Sequence, residues 1–210
     1  MNAPKLKFCG IRRWQDITYL NACMPDYAGF VFAKSPRQIS ATTAAALEQE
    51  LHPAIKRVGV FVNEPIESLL QTAVLANLDA LQLHGDEDEN YIRHLRSALQ
   101  IPCEIWKAVR VRKAAQIANA NRLPVDKLLF DSFAENTYGG TGTVANWQLL
   151  RQANAEKPFF LAGGLNSQNI MQGIHSVQPF GVDLSGGIET DGYKDKEKML
   201  QITKLVKQRK

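Results

Sequence analysis

Ala80-Leu81-Gln82-Leu83-His84-Gly85 is a short apolar run, followed by the acidic turn Asp86 to Glu89 and a helix-like segment reaching Leu99. A run of this length, bounded by turn signals, fits a buried strand, and the acidic turn suits the positive end of a helix. It is the fourth such pair from the N-terminus, and by then the alternation of strand and helix is plain. Before it stand Leu6 to Cys9 with a helix over 14–21, 27–32 with a helix over 40–51, and 57–62 with a helix over 65–76. The second helix is rich in alanine and has Ser40 available to cap it.

The same rhythm continues after it. Residues 104–109 precede a weaker helix over 113–120, and Lys127 to Asp131 precede one over 147–153. Phe159 to Gly164 lead to a helix over 167–176, and Gly181 to Ser185 lead to a lysine-rich closing helix. Eight consecutive βα units make a parallel sheet that helices must cover, and right-handed crossovers let eight of them close on themselves. The pattern predicts a single-domain (β/α)8 TIM barrel over residues 1–210. A doubly wound open sheet is the alternative, because a linear pattern does not display closure.

Composition is that of an ordinary folded domain: 45% hydrophobic and 22% charged residues, with a formal charge of +4, argue against disorder and against a strongly basic nucleic-acid surface. Lys194, Lys196, Lys198, Lys204, Lys207, Arg209 and Lys210 crowd the last segment beside Asp195 and Glu197, which reads as the solvated face of a terminal helix. Cys9, Cys23 and Cys103 are odd in number and far apart, without metal-ligand spacing, so no metal and a reducing compartment are expected. Neither a signal peptide nor a run of membrane-spanning length is found, so a cytoplasmic protein without a membrane or nucleic-acid partner is expected. Monomer and homodimer both stay open.

In a TIM barrel the active site lies on the βα loops, at the carboxyl ends of the strands. Cys9 ends the first strand, Arg37 follows the second, His84 ends the fourth and Asp131 ends the sixth, while Gly163-Gly164 and Ser185-Gly186-Gly187 follow the seventh and eighth. Each has an ordinary explanation alone: a buried thiol, a surface charge, a core histidine, a helix cap, a turn. Together they make a constellation. Glycines in the last two loops let backbone N–H groups approach a phosphate, so a small phosphorylated ligand is expected at Gly163, Gly164, Ser185, Gly186 and Gly187. The loop Tyr138-Gly139-Gly140-Thr141-Gly142 is a candidate third wall or lid, and without the Lys-Ser/Thr ending of a P-loop it disfavours a nucleoside triphosphate.

Cys9 and Asp131 suggest a proton-transfer pair across the mouth, since a thiolate serves as a base near neutral pH when positive charge stabilises it. Alternation along the first strand turns Lys7 and Cys9 one way and Leu6 and Phe8 the other. A lysine aimed inward needs a carboxylate. The first and eighth strands are neighbours in a closed barrel, so a Lys7–Asp183 pair below the site is expected.

Assembled in order, Lys7-Phe8-Cys9-Gly10-Ile11, Gly29-Phe30-Val31-Phe32 with Ser35-Pro36-Arg37, Val58-Gly59-Val60-Phe61-Val62-Asn63, Leu81-Gln82-Leu83-His84-Gly85, Asp131 with Gly139-Gly140-Thr141-Gly142, Ala162-Gly163-Gly164-Leu165 and Val182-Asp183-Leu184-Ser185 span nearly the whole chain. This set strongly resembles the phosphoribosylanthranilate isomerase family of tryptophan biosynthesis. The resemblance implies a cofactor-free Amadori rearrangement, with Asp131 as general acid, Cys9 as general base, Arg37 on the anthranilate carboxylate, the five loop residues on the phosphate, and His84 and Asp183 lining the pocket. Departures from the family pattern are Gly186 for a serine, Asp191-Gly192 for Pro-Gly, and Ala145-Asn146 for Phe-Asp before Trp147. Two rivals are a histidine-pathway sugar-phosphate isomerase, whose pattern has aspartate where this chain has Cys9, and a silent barrel that binds a phosphorylated metabolite without an acid and base.

Overall fold

Strands and helices alternate as β1 (Lys5–Cys9), α1 (Trp14–Cys23), β2 (Tyr27–Val31), α2 (Ala41–Gln49), β3 (Lys56–Phe61), α3 (Ile66–Leu75), β4 (Ala80–Leu83) and α4 (Glu89–Ala98). The second half runs β5 (Glu104–Val111), α5 (Ala114–Arg122), β6 (Lys127–Ser132), α6 (Trp147–Gln152), β7 (Phe159–Ala162), α7 (Ile170–Val177) and β8 (Gly181–Leu184). A 3-10 turn, Gly186–Ile188, and a hairpin of β9 (Glu189–Thr190) and β10 (Tyr193–Lys194) then precede α8 (Lys196–Lys207). The structure, a computed structural model, describes residues 3–132, 147–152 and 155–207. The glycine loop at 138–142 and the Ala145-Asn146 departure lie outside them.

The eight strands pair in chain order, all parallel, and β8 closes on β1 with Lys7 opposite Asp183. The closed barrel, not the open sheet, is therefore realised. Two apolar layers follow from the period-two alternation of the strands. Outward side chains such as Leu6, Phe8, Leu81, Leu83, Val182 and Leu184 pack with Ile17 and Leu20 of α1 and Met199 and Ile202 of α8. Inward ones form a separate cluster that includes Tyr27, Val58, Ala80, Trp106, Leu129 and Phe160.

Helix starts follow local chemistry. Ser40 accepts the N–H of Thr43 at 3.0 Å and Asp88 accepts that of Tyr91 at 2.8 Å, each capping the helix that follows. Before α1, the Asp16 carboxylate accepts the N–H groups of Arg12 and Arg13 at 3.0 and 3.1 Å. The β9–β10 turn places Asp191 and Gly192 at φ +50° and +77°, the two left-handed residues a tight two-residue hairpin demands. Lys107 faces the helices, because its strand neighbours Trp106 and Ala108 face inward; its ammonium donates to the Gly85 carbonyl at 2.6 Å and to Glu87 at 2.7 Å. No helix among the described residues is long and apolar enough to cross a membrane.

Candidate active site

Cys9 is buried at the carboxyl end of β1, two residues above the fully buried Lys7. Lys7 donates to Asp183 at 3.0 Å, so the expected pair beneath the site is present. Gly29, beside Cys9 on β2, makes room for the thiol: a Cβ there would lie 2.8 Å from the Cys9 sulfur. Burial pushes the Cys9 thiol above its ordinary range; Lys7 and Lys194 pull the other way, while Asp183 adds to the rise. Burial also works against the Lys7 ammonium, yet Asp183 and Cys9 together hold its pKa above the usual lysine value. Lys7 thus divides its charge between Asp183 and Cys9, and burial is what disfavours the Cys9 thiolate.

Asp131 is the penultimate residue of β6, on the other side of β7 and β8 from β1, with its carboxylate partly exposed. His84 Nε2 lies 3.6 Å from an Asp131 oxygen, and His84 Nδ1 lies 3.1 Å from the Gln82 amide nitrogen. Gln82 thus orients the His84 ring from below through Nδ1 and leaves Nε2 facing Asp131. Gln82 is buried one strand-repeat below His84, and its Oε1 has no partner among the described residues.

The glycine loops after β7 and β8 come together. Gly163 and Gly164 adopt φ +87° and +63°, and a Cβ on Gly187 would stand 1.9 Å from the Leu165 carbonyl oxygen. Backbone meets backbone here because Gly187 carries no side chain. Ser185 ties this wall to the first strand by donating its hydroxyl to the Cys9 carbonyl at 3.1 Å. Among the described residues only Arg37 Nη2 lies near the missing Cβ of Gly186, at 3.8 Å, so a serine would fit there without a clash.

Arg37 reaches this corner across Gly10, where a Cβ would meet the Arg37 Cδ at 2.5 Å and where φ is +83°. Its Nε and Nη2 donate to the two oxygens of Glu189 at 2.7 and 2.6 Å. Lys194 donates to the same carboxylate at 2.6 Å and to the Ser185 carbonyl at 3.1 Å. This corrects the solvated-helix reading for Lys194, which lies on β10 and is buried. Hydrogen bonding to Glu189 raises the Arg37 pKa further. Burial would raise the Glu189 pKa, but Arg37 and Lys194 outweigh it and hold the carboxyl below its usual range. Glu189, Lys194 and Gln82 are site residues that sequence reasoning misses. For the first two a signal existed, because Asp-Gly at 191–192 marks a hairpin and not a helix face.

Fold and site define a (β/α)8-barrel enzyme whose ionisable and glycine-rich elements converge on the carboxyl ends of β1, β6, β7 and β8. A model of the N-(5'-phosphoribosyl)anthranilate (PRA) isomerase family matches residues 6–205. The N-(5'-phosphoribosyl)anthranilate isomerase of Thermoanaerobacter sp. (strain X514) is 44% identical over 203 residues, covering 97% of this chain and 98% of that relative. The crystal structure of phosphoribosyl anthranilate isomerase from Thermotoga maritima superposes with a TM-score of 0.86 at 34% identity, covering 97% of this chain and 98% of that one. A phosphoribosyl anthranilate isomerase solved in complex with reduced 1-(o-carboxyphenylamino)-1-deoxyribulose 5-phosphate gives a TM-score of 0.82 at 33% identity, with coverage of 97% and 98%. The chain belongs to the N-(5'-phosphoribosyl)anthranilate isomerase family.

Proposed function

We propose that this protein is the isomerase of tryptophan biosynthesis that converts N-(5-phosphoribosyl)anthranilate to 1-(2-carboxyphenylamino)-1-deoxyribulose 5-phosphate, using general acid and base groups of its own. Asp131 donates a proton to the furanose ring oxygen, and the C1–O bond breaks to leave an iminium at C1. Cys9, as thiolate, then removes the proton from C2. The resulting enolamine tautomerises to the ketone, so the rearrangement neither gains nor loses atoms. The phosphate rests against Gly163, Gly164, Ser185, Gly186 and Gly187, the substrate carboxylate takes the Arg37 fork, and His84 and Asp183 line the pocket.

The observation that carries this reading is the contact of the β7 and β8 glycine loops, closed to Leu165 O by Gly187 and bonded to the Cys9 end of β1 through Ser185. It joins an anion-binding backbone to a thiol in one corner, which suits a phosphorylated sugar that must lose a carbon-bound proton. Burial raises the Cys9 pKa, so turnover should grow as pH rises and the thiolate fills. The test follows the fluorescence of phosphoribosylanthranilate, with the histidine-pathway substrate in parallel. Loss of the first signal supports the reading; activity on the second alone overturns it.

A further inference from the structure

We propose that Glu189 is a positioning residue, which aims the outer edge of the Arg37 guanidinium at the substrate carboxylate and holds Lys194 over the Cys9 end of β1. The inference rests on the Arg37 clamp proposed above and adds what makes the clamp selective.

An arginine has five N–H donors arranged as two usable edges. One edge, Nε with one hydrogen of Nη2, is committed to the two oxygens of Glu189 at 2.7 and 2.6 Å. That bidentate contact fixes the guanidinium plane. On the other edge, the N–H bonds of Nη1 and the second Nη2 hydrogen run parallel to each other at the same spacing, so that edge matches a second planar carboxylate. A long flexible side chain on a loop becomes a preset fork, and the ordering cost is met before the substrate arrives.

Glu189 is itself held in place. Lys194 bonds its Oε1 at 2.6 Å and anchors to the Ser185 carbonyl at 3.1 Å, the same serine whose hydroxyl reaches the Cys9 carbonyl. Arg12, on the loop after β1, donates to the Pro36 carbonyl at 2.5 Å and to the Gly192 carbonyl at 2.6 Å. It therefore staples the loop that carries Arg37 to the hairpin that carries Glu189 and Lys194. The Arg12 and Arg13 guanidinium carbons lie 4.8 and 4.4 Å from the Tyr193 ring centroid, which pins the hairpin to the loop after β1. One carboxylate between two cations leaves one positive charge in this corner unmatched, which the substrate carboxylate neutralises.

The experiment measures binding of two ligands to the full-length protein by calorimetry: the reduced product, which carries the ring carboxylate, and its phenylamino counterpart, which lacks it. The unmodified protein should prefer the carboxylated ligand. Glu189→Gln should lose about tenfold on that ligand and stay within about twofold on the other, as expected when one charge-assisted bidentate contact loses its alignment. Arg37→Ala should erase the same preference. Glu189→Asp keeps the charge between the cations but withdraws it by one carbon, so it is the second variant if the glutamine form does not fold; it should lose part of the preference. Equal weakening of both ligands, or an unchanged preference in both Glu189 variants, overturns the proposal. Failure of the unmodified protein to turn over phosphoribosylanthranilate would instead overturn the proposed function.

Discussion

The two ends of the barrel interior are built on opposite principles. Toward the amino ends of the strands, Trp106 stacks on Phe160 at 4.8 Å and meets Tyr27 edge-on at 5.1 Å. Polar groups there serve the aromatics: Glu104 accepts the Trp106 indole N–H at 2.7 Å and Lys127 at 2.5 Å. Toward the carboxyl ends the same interior holds Lys7, Asp183, Cys9, Glu189 and Lys194, all buried or nearly so. Aromatic floors gain free energy by burying area, whereas a set of buried charges roughly breaks even against its desolvation cost. The difference teaches that the floor supplies stability and the mouth spends it on charge placement.

The largest effect should come at the mouth. Cys9→Ser and Asp131→Asn are each expected to lower kcat by about 10²- to 10⁴-fold, the span of a general acid or base, with product binding nearly intact. Near-normal turnover in either variant, read by the fluorescence assay, would remove that residue from its role. Trp106→Ala on the floor should do the reverse, costing about 3–5 kcal/mol of stability in urea unfolding while the folded protein keeps its kcat. A large fall in kcat there would break the division between the two ends.

Asp183→Asn sits at the border and should show both effects, because it strands the buried Lys7 charge at a cost of about 3–5 kcal/mol. Its pH dependence has a definite sign. The folded Lys7 pKa is raised above 10.5, so the pair's contribution is fully present below that pH and fades as pH rises through the folded value. Denaturation midpoints from neutral to strongly alkaline pH should therefore converge between the unmodified protein and the variant. Persistent separation at the alkaline end would show that the pair is not ionic.

The smallest effect sharpens the electrostatics. Cys9 faces Lys7, Asp183, Lys194 and Arg37, and Lys194 is one of the cations favouring the thiolate. Lys194→Met should shift the Cys9 titration to higher pH and move the alkaline rise of kcat/KM with it. Absorbance of the thiolate, corrected with Cys9→Ser for Cys23 and Cys103, reads this directly. A shift to lower pH would place the dominant cation elsewhere.

Much of this was legible in the letters. Alternating apolar runs and helical segments define eight βα units, and period two aims Lys7 and Cys9 inward, because a strand has no freedom to do otherwise. Once the barrel closes, β1 and β8 are neighbours, so the Lys7–Asp183 pair follows from one register, as observed. Lys107 shows the limit: only the sidedness of β5 decides that it meets Glu87 among the helices.

By itself, then, the sequence determined the βα order, the strand-end placement of Cys9, His84 and Asp131, and the glycine loops, all of which depend on local periodicity and backbone freedom. Tertiary structure alone decided that Lys194 is buried, that Glu189 grips Arg37, and that Arg12 ties their loops together. Two of those contacts, Arg37 with Glu189 and Arg12 with Gly192, join residues 152 and 180 positions apart. No local propensity encodes such a meeting, because it exists only after closure has brought the loops of β1, β2 and β8 to one corner.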